Sequence, residues 1–224
     1  MAVIELSELR YRWPKQTRDA LYIPHLQVKQ GEHLFIKGAS GSGKTTLLNL
    51  LAGILTPSAG SIQLLGQALE RLSGARRDRL RADHMGVIFQ QFNLLPYLSV
   101  RENIQLPCEF SAQRKRQAGN LSLSTAHLLQ QLGLEADLGR RAVTDLSVGQ
   151  QQRVAVARAL MGSPELIIAD EPTSALDTDM RDSFLKLLFQ QAEAQHSTIV
   201  FVSHDPYIAP YFSRVVDLNE LNQA

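Results

Sequence analysis

Short apolar runs recur along the chain at strand length: Leu34-Phe35-Ile36, Met85 to Phe89, Leu166 to Ala169 and Thr198 to Val202. The last two are nearly continuous and bounded by polar residues, the pattern of parallel strands covered on both faces. Between the runs, apolar positions fall at helical spacing. Thr45 to Leu55 reads as one helix, and Gln150 to Met161 as a second, with Val154, Ala157, Leu160 and Met161 on one side. Arg181 to Glu193 reads as a third, carried by Phe184, Leu185, Leu188 and Phe189. Strands alternating with helices predict a doubly wound α/β sheet. Residues 92–160 differ. They are rich in Gln, Leu and Ala, amphipathic at Thr125 to Gly133, and hold no convincing strand. The expectation is one domain, 1–224, in which a helical lobe (92–160) is inserted into an α/β core (1–91 and 161–224).

Composition narrows the classes. A length of 224 residues suits one such domain, and 44% hydrophobic with 20% charged residues excludes a disordered or collagen-like chain. Twenty-three basic and 22 acidic side chains leave a net charge of +1, which argues against a dedicated nucleic-acid binder. The lone Cys108 excludes an intrachain disulfide and a cysteine-cluster metal site, and it suits a reducing compartment. Cys108 has no basic neighbour or paired histidine pattern to make it a nucleophile. The apolar stretch Leu47 to Leu55 is broken by Asn49 and too short to span a bilayer. The N-terminus lacks a secretion-signal pattern, so a cytosolic protein is expected. The basic runs Arg76 to Arg81 and Arg114-Lys115-Arg116 read as solvated faces.

The strongest chemical signal is Gly38-Ala39-Ser40-Gly41-Ser42-Gly43-Lys44-Thr45, between the Leu34 to Lys37 strand and a helix from Thr46 onward. It matches the phosphate-loop pattern G-x-x-x-x-G-K-[ST] in its required strand–loop–helix context. The glycines let successive N–H groups turn inward around phosphates, and the helix N-terminus adds partial positive charge. Lys44 would neutralise phosphate charge, and the Thr45 hydroxyl would ligate Mg²⁺. Leu166-Ile167-Ile168-Ala169-Asp170-Glu171 is a hydrophobic strand ending in two carboxylates. Asp170 would hold Mg²⁺ directly or through water, and Glu171 would act as general base on the attacking water.

Further motifs stand in register with these two. Leu146-Ser147-Val148-Gly149-Gln150 opens the Gln150 to Met161 helix; Gln90 follows Val87-Ile88-Phe89; Ser174-Ala175-Leu176-Asp177 follows Glu171; Ser203-His204-Asp205 follows the last strand. Together they closely resemble the signature motif, Q-loop, D-loop and switch histidine of ATP-binding cassette (ABC) proteins, over essentially the whole chain. The resemblance implies a phosphate-loop NTPase (RecA-like) core with a parallel sheet, an N-terminal antiparallel β region and an inserted helical lobe. It implies an ATPase using ATP and Mg²⁺, working as a head-to-tail dimer. Ser147, Gly149 and Gln150 would meet the γ-phosphate held by the partner's Gly38 to Thr46. Gln90 would sense Mg²⁺ and γ-phosphate, Asp177 would tie the subunits together, and His204 would hold Glu171, water and γ-phosphate in register. Trp13, with Tyr11 as the alternative, stands where the family stacks adenine. Val148 departs from the family's commonest signature, which has glycine there; a β-branched residue demands negative φ.

Phe89 to Ile104 resembles the equivalent stretch of the lipoprotein-releasing, macrolide-export and cell-division ABC ATPases. That implies a permease subunit of the inner membrane, docking by a coupling helix along Gln90 to Asn103, with Phe92, Leu94, Leu95, Pro96 and Tyr97 offering apolar contact. The cassette would sit peripherally on the cytoplasmic side. Nucleic acid is not an expected partner; the alternative, a soluble ABC ATPase acting on DNA or ribosomes, lacks the expected sustained heptads in residues 46–145. About 20 residues follow His204, too few for the regulatory C-terminal domain that some importers carry.

Overall fold

The computed structural model describes residues 1–174 and 176–224. They form two compact units, 1–81 with 198–224, and 82–197.

In the first unit, β1 (Ala2–Tyr11) pairs antiparallel with β2 (Leu21–Lys29) and with β4 (Ala59–Leu64), and β4 pairs with β5 (Gln67–Ala68). On β1 the buried face switches phase: Ile4 and Leu6 are two apart, then Leu9 and Tyr11 resume after a gap of three. The cause is a bulge. Glu8 stands at φ 49°, and the register against β4 shifts between Ser7 and Arg10, which returns Leu9 to the core. The second layer is parallel: β3 (Leu34–Lys37) lies between β8 (Thr198–Ser203) and β9 (Arg214–Asp217). Phe35 stacks on Phe212 with centroids 5.2 Å apart, and Phe201 meets Phe212 edge-on at 5.3 Å. Helix α1 (Lys44–Leu51) ends four residues before the Leu55 that the periodicity suggests, because Leu51 leads into turns at Gly53, φ 66°. Helix α2 is Gly74–His84.

In the second unit, β6 (Met85–Ile88) pairs parallel with β7 (Leu166–Asp170). The helices are α3 (Val100–Phe110), α4 (Ala112–Ala118), α5 (Leu121–Gln131), α6 (Val148–Leu160) and α7 (Thr178–Ala194); α8 (Leu218–Leu221) belongs to the first unit. Among the described residues of 92–160 there is no strand, only an isolated bridge between Ser99 and Ala142. Helix α6 is buried almost all round from Val154 to Leu160. It lies so close to β6 that a Cβ on Gly86 would stand 2.3 Å from Ala159 O.

The basic run at Arg114 is corrected by the structure. Lys115 and Arg116 are solvated, but Arg114 is buried and its guanidinium donates to Met161 O (2.7 Å), Ala159 O (2.7 Å) and Met85 O (2.9 Å). Burial lowers its pKa to about 10, which still leaves it charged at neutral pH. Nearby Cys108 is buried, and desolvation pushes its thiol up.

His84 Nδ1 and Glu165 Oε2 are both buried atoms, 3.1 Å apart, with no other hydrogen-bond partner. One proton between them satisfies both, and the neighbouring carboxylate favours the charged imidazolium. The Glu165 hydrogen bond raises the His84 pKa above its ordinary 6.5. Burial opposes ionisation of Glu165, but the hydrogen bond and charge of His84 leave its pKa below the ordinary 4.5. The raised histidine contributes stability that is full below about pH 6.5 and is lost as pH rises through its folded value. The lowered carboxylate contributes above about pH 4.5 and is lost as pH falls. Urea midpoints should therefore fall between pH 6 and pH 8.5 by the equivalent of about 0.5–1 kcal/mol, as for a partly exposed pair, and His84→Gln should remove that slope.

Candidate nucleotide-binding site

The phosphate loop belongs to the first unit. β3 delivers it, and α1 carries its end. Gly43 is the N-cap of α1 at φ 98°, where a Cβ would stand 2.9 Å from Leu21 Cδ2, so the position requires glycine. No side chain caps α1 and no acidic residue sits in its first turn. The N–H groups of that turn are therefore available to an anion. Lys44 is buried, and its ammonium donates to Gly38 O (2.8 Å) and Ala39 O (2.9 Å), which tethers the charge inside the loop. Ser40, Gly41 and Thr45 are exposed, whereas Ser42 Oγ is a buried hydroxyl with no hydrogen-bond partner.

His204 reaches the same end of the same sheet. β8 runs parallel to β3 with Ser203 opposite Lys37, so His204 leaves its strand beside Gly38. Lys37 also pairs with Asp217 of β9 at 3.3 Å. At the opposite layer, Tyr11 is buried and meets Trp13 edge-on at 5.0 Å; Trp13 itself is 39% exposed. Of the two aromatics, Trp13 is the one with a face open to a base.

The carboxylates belong to the second unit. Asp170 is the last residue of β7, and Glu171 follows at φ 44°, a strained backbone for a non-glycine residue. Ile88 pairs with Ala169, so Gln90 leaves β6 alongside Asp170 and Glu171. The turn after Glu171 is fixed by Gln152 of α6, whose Nε2 donates to Pro172 O at 3.0 Å.

The signature segment starts α6. Ser147 is its N-cap, accepting from Gln150 N, while the Gln150 side chain accepts from Ser147 N in return. This capping box gives Gln150 a structural task and leaves the Ser147 hydroxyl hydrogen to donate outward. Val148 takes the first helical position with its side chain exposed, so the valine costs the backbone nothing there. Asp177 caps α7 by accepting from Met180 N at 2.9 Å; Ala175 in the same motif lies outside the described residues.

Gln152 and Arg158 are polar residues that land on the buried part of α6, and that mismatch with an apolar face is the signal by which the sequence marks them. One expectation is corrected. Phe92 is buried and is not an open contact on the Gln90 to Asn103 segment, whereas Pro96 and Tyr97 are exposed and Leu94 and Leu95 are half-buried.

The family model described as ABC transporter matches residues 22–174. The chain belongs to the ABC transporter family. Over 220 residues, 97% of its length, it is 37% identical to the macrolide export ATP-binding/permease protein MacB of Shigella flexneri, of which it spans 33%. It spans about a third of the length of the MacB relatives it matches. It is also 37% identical over 222 residues to the ABC transporter ATP-binding protein YknY of Bacillus subtilis, covering 98% of this chain and 94% of that one. Among solved structures, a dimeric post-hydrolysis state of the ATP-binding cassette MJ0796 bound to ADP and Pi superposes with a TM-score of 0.80 at 33% identity, over 96% of this chain and 93% of that chain. The ABC chain is thus an ATP-binding domain with the cassette fold, and an ATPase. No helix among the described residues is long and apolar enough to cross a membrane.

Proposed function

We propose that this ABC ATPase works as a head-to-tail pair of cassettes that couples ATP hydrolysis to export, or to mechanical signalling, through a separate membrane subunit. The observation that carries this reading is the signature helix. Ser147 caps α6, its hydroxyl hydrogen is unused, and the N–H groups of the first turn have no acidic neighbour. Such an end accepts an anion. A second copy's nucleotide would supply one, in keeping with the dimeric cassette that this chain resembles.

Gly38 to Thr46, with Lys44, would hold the phosphates and Trp13 the adenine. Ser147 and Gly149 would meet the partner's γ-phosphate, with Gln150 bracing Ser147, and Asp177 would lie at the subunit contact. Thr45 would ligate Mg²⁺, and Asp170 and Gln90 carry oxygens of the kind that this hard cation prefers; when bound, Mg²⁺ would neutralise phosphate charge. Glu171 would take the proton of the attacking water, and His204 would orient it. Residues 92–160 would act as the helical lobe. The surface from Gln90 to Asn103, with Pro96 and Tyr97 outermost, would receive the permease on the cytoplasmic side of the membrane. MacB itself joins the ATP-binding and permease parts in one protein, which supports a permease as partner rather than DNA or ribosomes.

The test is capture with a tagged Glu171→Gln chain from detergent-solubilised membranes in ATP and Mg²⁺. The expected result is a stoichiometric membrane protein whose recovery falls when Tyr97 is changed to Asp. Recovery of ribosomes, DNA or soluble partners alone would overturn the transporter reading.

A further inference from the structure

Phe92 and Asn93 stand at φ 58° and 48°, two successive non-glycine residues in the left-handed region. Such a pair persists only when its surroundings hold it. The holder is Arg158 of α6. Its Nη1 donates to Asn93 O at 2.6 Å and its Nη2 to Phe92 O at 2.5 Å, and the residue is 8% exposed. A planar fork gripping two successive carbonyls fixes orientation as well as distance. The rest of the segment is gripped by Asn103, fully buried, whose Nδ2 donates to Leu95 O (3.1 Å) and Ser99 O (3.1 Å) and whose Oδ1 accepts from Leu95 N (2.8 Å).

The helix that carries Arg158 has two further attachments. Ser147 caps its first turn, and Gln152 holds Pro172 O in the turn after Glu171. Ser147 and Arg158 are separated by about 16 Å of helix at 1.5 Å per residue, a span that bends little compared with a loop.

We propose that Arg158 is a positioning residue that yokes the Gln90 to Ser99 segment to α6, so that segment and signature turn move as one body when ATP binds. The consequence for transport rests on the docking role proposed above for this segment; the yoke itself needs no partner and is tested without one. Its functional meaning is direct. A subunit pressing on Pro96 and Tyr97 would shift the same helix whose first turn meets γ-phosphate, and ATP would shift the docking segment in return, as linkage requires.

The experiment is hydrogen exchange on the purified Glu171→Gln chain, with and without ATP and Mg²⁺, comparing peptides covering 91–97 and 147–152. In the Arg158-intact chain both should change protection at the same ATP concentration. Arg158→Lys keeps the charge but loses the planar fork, so the paired grip on the two carbonyls weakens. In that variant the 91–97 amides should exchange about tenfold faster, the loss expected for one charge-assisted bond, and should stop responding to ATP. The 147–152 response and the ATP affinity should stay within about threefold. A structural role alone would weaken both peptides together. Arg158 is not a yoke if residues 91–97 keep their ATP response in Arg158→Lys, or never respond in the intact chain. Should the lysine variant fail to fold, the intact chain in sub-denaturing urea decides: the two peptides must open with the same urea dependence, and independent opening overturns the proposal. If capture in membranes loses its sensitivity to Tyr97 while the exchange stays coupled, the docking reading fails and the yoke stands.

Discussion

Replacing Glu171 by glutamine should lower kcat for ATP hydrolysis by about 10²–10⁴-fold, the range a general base contributes, and should leave ATP affinity within about threefold. Glutamine matches glutamate in size and reach, so it can keep the φ 44° turn that ends β7, but it cannot take the proton from water. The backbone there does not rely on Glu171 alone, because Gln152 of α6 holds Pro172 O. A loss of kcat at constant affinity therefore reports chemistry rather than collapse of the turn. Single-turnover kinetics with nucleotide prebound make the separation. A variant that hydrolyses ATP within about threefold of the unmodified chain would move the base to another group, and the strain at residue 171 would need a purely structural account.

The parts of the site read most directly from sequence are those whose chemistry fixes a local pattern. The phosphate loop must have glycine where Gly43 sits at φ 98° against Leu21, and a hydrophobic strand must end in carboxylates where β7 does. These are constraints on neighbours in the chain, so neighbours in the chain reveal them. The N-terminal antiparallel sheet was harder. Its alternation breaks at the Glu8 bulge, so a period of two fails across β1 even though both halves face one core. Nothing local shows that the register shifts.

Buried polar groups that act across the fold were legible only as anomalies. Gln152 and Arg158 interrupt an otherwise apolar helix, and the interruption says that each must find partners without naming them. The partners, Pro172 O and the carbonyls of Phe92 and Asn93, are 20 and about 65 residues away. Phe92 illustrates the converse. The resemblance of its stretch to a docking segment implies an open contact, yet the left-handed turn that Arg158 grips folds it into the core.

Arg114→Leu should be the most destabilising of these changes, by about 3–4 kcal/mol, because three short hydrogen bonds to buried carbonyls disappear at about 1–1.5 kcal/mol each. The acceptors explain why water cannot replace the guanidinium. Ala159 O and Met161 O are at the C-terminal end of α6, where carbonyls have no partner within the helix, and Met85 O opens β6. One side chain from α4 thus satisfies groups on two other elements. Its entry is fixed in turn by Ser111, which caps α4 by accepting from Arg114 N and donates its own proton to buried Asp83. A Cβ on Gly162 would press within 2.7 Å of Arg114 Cβ, so the surroundings are too close-packed to collapse around a leucine. Set against a total stability of about 5–15 kcal/mol for a domain, the loss would move the urea midpoint far down. Arg116→Leu, two residues on and solvated, should change stability by no more than about 0.5 kcal/mol. Arg114→Lys should fall between them, since an ammonium keeps the charge but not the fork. Equal urea midpoints for Arg114→Leu and Arg116→Leu would mean that the buried guanidinium contributes no more than a surface charge, and the run would then be the uniform solvated face that its composition suggests.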